Sequence, residues 1–430
     1  MAIYALTRKT IFVHDLLVGL SLRGLGAVAS FGLTWITAQL YGVKPLGLYQ
    51  MAFATAGLVA SLSIMGQEVV IIRQLTPLVH KQMWAEVRAR FRGTMRAVAI
   101  NGWVLALVSA IIIAPLAAFL IGEPDLLPFM IALSPFVVLF PMIRINSALL
   151  RCLGRVKLSQ SLEGVLYTTL AVVGLFVLWV MGVETSPLTV PFFLIMGLLV
   201  SFWVARQLAA AQMRDWPSDQ PSMKADLKSG RWIAAAPLVA STSNWLLLLL
   251  VGGMLGPAEA GIFRTAVMIC MLMELINTSF VAMAGPHLAK AAAEGALRAI
   301  RKLVLIAGAV GLALAAPLAF VIIAYPHFLL GLFGTEFMVG ARSLQWIALA
   351  QTLNIAAGPV GAALIMQKRE RLVLGIEICA ATLGVVTSLV LIPYIGMEGA
   401  ALGMMAAIIA RNAANAAAVW AMPAKQAGAI

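Results

Sequence analysis

The chain has 430 residues, of which 62% are apolar and 11% charged, against about 25% charged in an average globular domain. A folded surface cannot hide that much apolar material from water, and a mean hydropathy of +0.99 excludes soluble-enzyme, fibrous and disordered chains. A net charge of +13 would suggest nucleic acid in a soluble protein. Here the basic residues lie between apolar spans, so they report membrane topology and imply no nucleic-acid partner.

The first apolar stretch contains His14, Asp15 and Arg23 and runs to about Leu40. It is too long and too polar for a signal-peptide core and is predicted to stay as a membrane helix. A crossing needs about 20 mostly apolar residues. The expectation is an all-α polytopic protein with twelve spans, near 12–40, 46–72, 96–121, 126–150, 159–182, 187–211, 232–255, 258–286, 303–325, 340–366, 372–393 and 396–421. The termini and the loops after spans 2, 4, 6, 8 and 10 hold 24 of the 30 basic residues, whereas the opposite loops hold only Lys44 and Arg342. By the positive-inside rule both termini are cytoplasmic. After span 2, Lys81, Arg88, Arg92 and Arg96 recur at helical spacing beside an apolar stripe of Trp84, Val87 and Phe91. That pattern predicts an interfacial helix on anionic membrane lipids.

The segment from Leu40 to Tyr49 recurs as Met254 to Phe263: Gly42 matches Gly256, Gly47 matches Gly261, Tyr49 matches Phe263, and Ala52 matches Ala266. Gly182 and Glu184 match Gly396 and Glu398 at the same offset, which is close to half the chain. Two six-helix halves are implied, 1–211 and 232–430, joined by a cytoplasmic linker at 212–231. Six being even, both halves enter the membrane from one side, as a parallel repeat. Gly42 and Gly47 bracket a tight reversal that needs φ > 0 or close packing. Two such halves enclose a central cavity, and rocking one against the other is the geometry of alternating access. Pro237, Pro317 and Pro359 interrupt spans 7, 9 and 10, as hinges or as ordinary kinks.

Arg23, Arg144, Arg264, Arg411, Glu68, Glu163, Glu274 and Glu377 fall inside predicted spans, where an arginine near the centre costs about 2.5 to 3.5 kcal/mol. Glu163 and Glu377 lie close enough to cytoplasmic ends to snorkel or pair with basic neighbours, and Glu68 is close to Arg73. Arg23 sits roughly 16 Å along span 1 at 1.5 Å per residue, and Arg264 lies several residues into span 8. One cation in each half suits an anion, and guanidinium grips phosphate in a bidentate fork. Arg144 and Arg411 are further candidates for binding substrate, and Glu274 for coupling to an ion. Glu274 lies ten residues after Arg264 on the same helix and is turned about 80° from it, which argues against a direct pair. Cys152, Cys270 and Cys379 show no metal-ligand spacing and read as small apolar fillers. The chain lacks GxxxxGK[ST], HExxH and a Ser/His/Asp set, so no enzyme, cofactor or metal is expected.

These elements together resemble Wzx-type polysaccharide flippases, the polysaccharide-transport branch of the superfamily that also holds multidrug and toxic-compound exporters and lipid II flippases. The resemblance is carried by Gly42…Gly47-Leu48-Tyr49, Gly66…Arg73, Leu255-Gly256-Pro257-Ala258-Glu259-Ala260-Gly261-Ile262-Phe263-Arg264, Gly285-Pro286-His287-Leu288-Ala289, Gly358-Pro359-Val360-Gly361 and Pro393-Tyr394-Ile395-Gly396-Met397-Glu398-Gly399-Ala400-Ala401. It implies a MATE-like fold in the bacterial inner membrane, a polyprenyl-pyrophosphate-linked oligosaccharide as cargo, H+ or Na+ as coupling ion, and polysaccharide polymerase and chain-length machinery as partners. In the similar lipid II flippases, arginines of the first and eighth helices line the lumen, a role carried here by Arg23 and Arg264. The chain lacks the two extra C-terminal helices of that branch, and it has no acidic residue deep in span 1. The rival transporter reading is a cation-coupled multidrug exporter of the same fold, which an arginine-lined passage would not suit. A glycan polymerase or ligase would need a sizeable outer loop, and a non-transporting scaffold would leave the buried arginines without purpose.

Overall fold

In the computed structural model of the chain, the backbone is described for residues 2–217 and 227–421. Side chains are described throughout that range except at 2–20, 23, 227–234, 236–237, 279–282 and 286. The expected linker therefore falls largely outside the described residues.

The described residues form helices joined by short turns. α1 is Ala2–Tyr41, α2 is Val43–His80, α3 Trp84–Ile121, α4 Leu126–Cys152, α5 Val156–Val180 and α6 Thr189–Gln212. Then follow α7, Leu227–Met254, α8, Pro257–Ala293, α9, Leu297–Ala324, and a bent α10, Thr335–Ala356 with Val360–Met366. α11, Glu370–Ile395, and α12, Met397–Trp420, end the series. Among the described residues nine of these are long and apolar enough to cross a membrane, ten when the bent pair counts as one span. α1 and α7 cover the expected first and seventh spans.

The chain divides into two compact units, one from 1–41 and 48–234, the other from 42–47 and 235–430. In the first, α2 packs on α3 and α4, α3 on α4, α4 on α6, and α5 on α6. In the second, the same pairs recur six helices later: α8 on α9 and α10, α9 on α10, α10 on α12, and α11 on α12. The half-chain repeat read from the glycines is thus a repeat of packing. It is stabilised chiefly by close contact, since lipid removes the hydrophobic drive between helices.

The turn glycines behave as their positions require. Gly42 has φ 77 and Gly256 φ 118, conformations that side chains resist. Gly47 lies so close to the start of α8 that a Cβ would run into the Pro257 carbonyl, and one on Gly261 would meet the Val43 carbonyl. In α10 the break falls at Gly358, with φ 69, followed by Pro359, and the halves meet at 42°. Gly358 also packs closely on α9, where a Cβ would meet the Val304 carbonyl and the Gly308 backbone.

Three expectations change. α9 runs unbroken through Pro317 and α7 through position 237, because neighbouring helices can satisfy the carbonyl that a proline frees. α2 extends past 72 to His80, with its interruption at Met65 and Gly66, both at positive φ. The basic segment after span 2 is the first part of α3, not a separate interfacial helix. Its Val87 and Phe91 are buried against Ile71, Leu75, Ile145 and Leu149, so the apolar stripe faces protein instead of lipid. Trp84 stacks on Trp216 with ring centroids 5.0 Å apart, and Arg88 donates to the Trp216 carbonyl.

Candidate functional site

Among the described residues, a charged cluster lies among the spanning helices of each unit. In the first unit, Glu68 of α2, Arg144 and Arg151 of α4, and Glu163 of α5 form a chain of ion pairs. Arg144 Nη2 meets Glu68 Oε2 at 2.5 Å. Arg151 Nη2 lies 2.7 Å from Glu68 Oε1 and 2.7 Å from Glu163 Oε1. Arg144 and Arg151 are two helical turns apart, hence on one face of α4. Glu163 sits in a π-helical segment, Ser161–Val165, a distortion common at functional sites. The Ser159 hydroxyl reaches the same carboxylate at 3.5 Å, and the Arg144 guanidinium lies 5.7 Å from the Phe140 ring centroid.

In the second unit, Arg411 of α12 pairs with Glu377 of α11 at 3.5 Å and donates to Asn354 Oδ1 of α10 at 3.1 Å. Asn412 donates to the same oxygen at 2.9 Å. A cavity of about 30 Å³ beside this pair is lined by Ser243, Asn244, Glu377 and Arg411 among others. That is room for one or two waters. Glu274 of α8 lies within electrostatic range of Arg411. Nearer the start of α8, Arg264 is half-buried, with its guanidinium 5.9 Å from the Trp245 ring centroid. The negative face of the indole attracts the cation in this geometry.

The structure therefore places Arg144 and Arg411 in ion pairs, and Arg264 over an indole. The Arg23 backbone lies mid-way along α1, and its side chain lies outside the described residues. Glu68 pairs with Arg144 and Arg151 of another helix, and not with Arg73 as chain proximity suggested. Glu163 and Glu377 do pair with basic groups. Arg151 is not a candidate from sequence, yet it joins two carboxylates. One signal for this cluster exists in the chain: Glu163 and Glu377 are separated by the same half-chain offset as the repeated glycines, and so are Arg155 and Arg369. The repeat thus extends through the fifth and eleventh helices.

The membrane-spanning helices and their repeated packing define a multi-pass membrane protein of the MATE-like fold. An inward-facing multidrug resistance MATE family transporter of the MOP superfamily superposes with a TM-score of 0.77 at 14% identity, over 96% of this chain and 100% of that one. The lipid II flippase MurJ in an inward closed conformation gives 0.74 at 11% identity, over 95% and 88%. The Vibrio cholerae MATE transporter VcmN in its bent form gives 0.62 at 15%, over 96% and 97%. No curated sequence matches the chain. The sequence profile of the polysaccharide biosynthesis protein family matches residues 12–292, and the chain belongs to that family.

Proposed function

We propose that the protein is a flippase for a polyprenyl-pyrophosphate-linked oligosaccharide, an O-antigen, capsule or exopolysaccharide repeat unit. It carries the cargo by alternating access from the cytoplasmic to the outer leaflet of the bacterial inner membrane, with both termini cytoplasmic and residues 1–211 and 232–430 as its two lobes. The observation that carries the reading is family membership across residues 12–292 combined with a half-buried arginine, Arg264, inside a spanning helix. Arg264 lies about 10 Å into α8 at 1.5 Å per residue, and an arginine at that depth implies an aqueous or anionic neighbour.

In this reading Arg23 and Arg264 hold the pyrophosphate. Arg144 and Arg411, each already facing a carboxylate, reach cargo only by exchanging that partner. The polyprenyl tail stays in lipid, because exposing it to water costs about 0.8 kcal/mol per CH₂. An H+ or Na+ gradient drives the cycle through Glu274. Exposed Lys81, Arg92 and Arg96 face anionic headgroups, and polymerase and chain-length machinery receive the product. Bonds in the cargo are not broken, so the protein acts as a carrier and not as an enzyme.

The test is lipid analysis of a strain lacking the protein. Lipid-linked repeat units trapped on the cytoplasmic leaflet are expected. Unaltered lipid intermediates together with lost drug resistance would establish the exporter of cationic compounds instead.

A further inference from the structure

A second cavity lies wholly within the second unit, at the end opposite its basic turns. It has a volume of about 380 Å³ and is lined by Ile323, Arg342, Gln345, Trp346, Leu349 and Glu398, at the lower end of the range for small-molecule sites. Ile323 is in the last turn of α9, Glu398 in the first turn of α12, and the other four lie along the start of α10. Arg298, Arg301 and Lys302 sit at the start of α9, and Lys368 and Arg369 follow the end of α10, so the basic turns lie at the other end of these helices. If those basic turns face the cytoplasm, the cavity opens on the outer side.

Its lining is chemically mixed: the Trp346 indole, Leu349 and Ile323 are apolar, and Arg342, Glu398 and Gln345 supply a cation, an anion and an amide. Arg342 Nη1 stands 3.9 Å from Glu398 Oε1, and the arginine side chain is 79% exposed. Gln345 Nε2 donates to the Ile323 carbonyl at 2.9 Å, which fixes the carboxamide within the lining. The two lining charges cancel, so a bare phosphate gains little there, and Glu398 opposes it. A quaternary ammonium would meet one aromatic face and a competing guanidinium. A pyranose fits both parts: its C–H face is apolar, and its hydroxyls both donate and accept. The carboxylate can accept from one hydroxyl while the guanidinium donates to its neighbour, with the indole face against the ring.

We infer that this cavity is an exit-side binding site for an uncharged sugar residue. That the sugar belongs to the transported repeat unit rests on the flippase reading above; the presence of the site does not. A sugar held there after the pyrophosphate leaves the arginines would keep the glycan from sliding back.

The experiment is saturation-transfer NMR on the full-length protein in nanodiscs. The probes are free glucose, galactose, mannose, rhamnose and N-acetylglucosamine, with phosphocholine and glycerol phosphate as headgroup controls. At least one neutral sugar should bind in the millimolar range, weakened at least tenfold by Trp346→Ala and by Glu398→Gln, and retained by Trp346→Phe. If Trp346→Ala fails to fold, Glu398→Gln and Trp346→Phe still decide. The assignment is overturned if no sugar binds, if binding survives Trp346→Ala and Glu398→Gln unchanged, or if only the headgroup probes bind. The flippase reading is judged separately, by the lipid intermediates of the deletion strain.

Discussion

Of the arginines in the first unit's described ion pairs, Arg151 holds the most carboxylates. It serves Glu68 and Glu163 together, and its side chain is 25% exposed. Arg144 serves Glu68 alone and is 36% exposed. Removing one partner of a buried pair leaves the other charge uncompensated, at about 3 to 5 kcal/mol, whereas exposed pairs contribute about 1 kcal/mol or less. Arg151→Ala should therefore lower the thermal unfolding temperature in detergent distinctly more than Arg144→Ala. Glu163→Gln in the Arg151→Ala background should recover part of the loss, because it removes the stranded carboxylate. Equal effects of the two arginine changes would refute the chain of pairs. Sequence placed Glu68, Arg144 and Glu163 inside spans, where a charge needs a partner, but it could not choose among partners and left Arg151 in a loop. Glu68 lies close to Arg73 along the chain, yet it meets Arg144 and Arg151 because α2 and α4 pack together at that level.

Among the helices, glycine at φ > 0 separates a real break from a tolerated proline. Gly358 has φ 69, and a Cβ there would collide with the Val304 carbonyl. Gly358→Ala should cost about 1 to 2 kcal/mol from the left-handed backbone alone, with further loss from overlap. Pro317→Ala, inside the continuous α9, should change stability by less than about 1 kcal/mol, the ordinary size for a site whose backbone is already satisfied. Thermal unfolding of the two purified variants checks the contrast. Helix packing also explains the misplaced interfacial helix. An amphipathic stripe reports that one face is covered, not by what, and in α3 the cover is Ile71 and Leu75 of α2 together with Ile145 and Leu149 of α4. Apolar length located the spans well, and it understated α2 and α3 because both continue as helix into their polar ends.

For the molecule as a carrier, the flippase reading makes the charge of Arg264 the quantity to vary. Arg264→Ala should reduce glycan export in a complemented deletion strain by about tenfold or more, the equivalent of one charge-assisted contact at about 1.4 kcal/mol per decade. Arg264→Lys should restore part of it, since an ammonium keeps the charge but loses the bidentate fork. Glu274→Gln should leave residual export that no longer falls when the ion gradient is dissipated. Surface glycan measured beside trapped lipid-linked intermediates reads all three. Export unchanged by Arg264→Ala would remove the anion-binding role.

Membrane residence, the approximate place of the spans and the duplication of the two halves are legible in the order of residues alone. Hydropathy is a one-dimensional property, and a repeat survives in the glycines that tight reversals demand. Even the equivalence of Glu163 and Glu377 can be read in that register. The partners of those carboxylates, the burial of Val87 and Phe91, and the meeting of Arg342, Trp346 and Glu398 around one cavity follow only from the folded arrangement. Each joins residues from different helices, and which faces meet depends on how side chains interlock at close range, a matter that no periodicity along a single helix encodes.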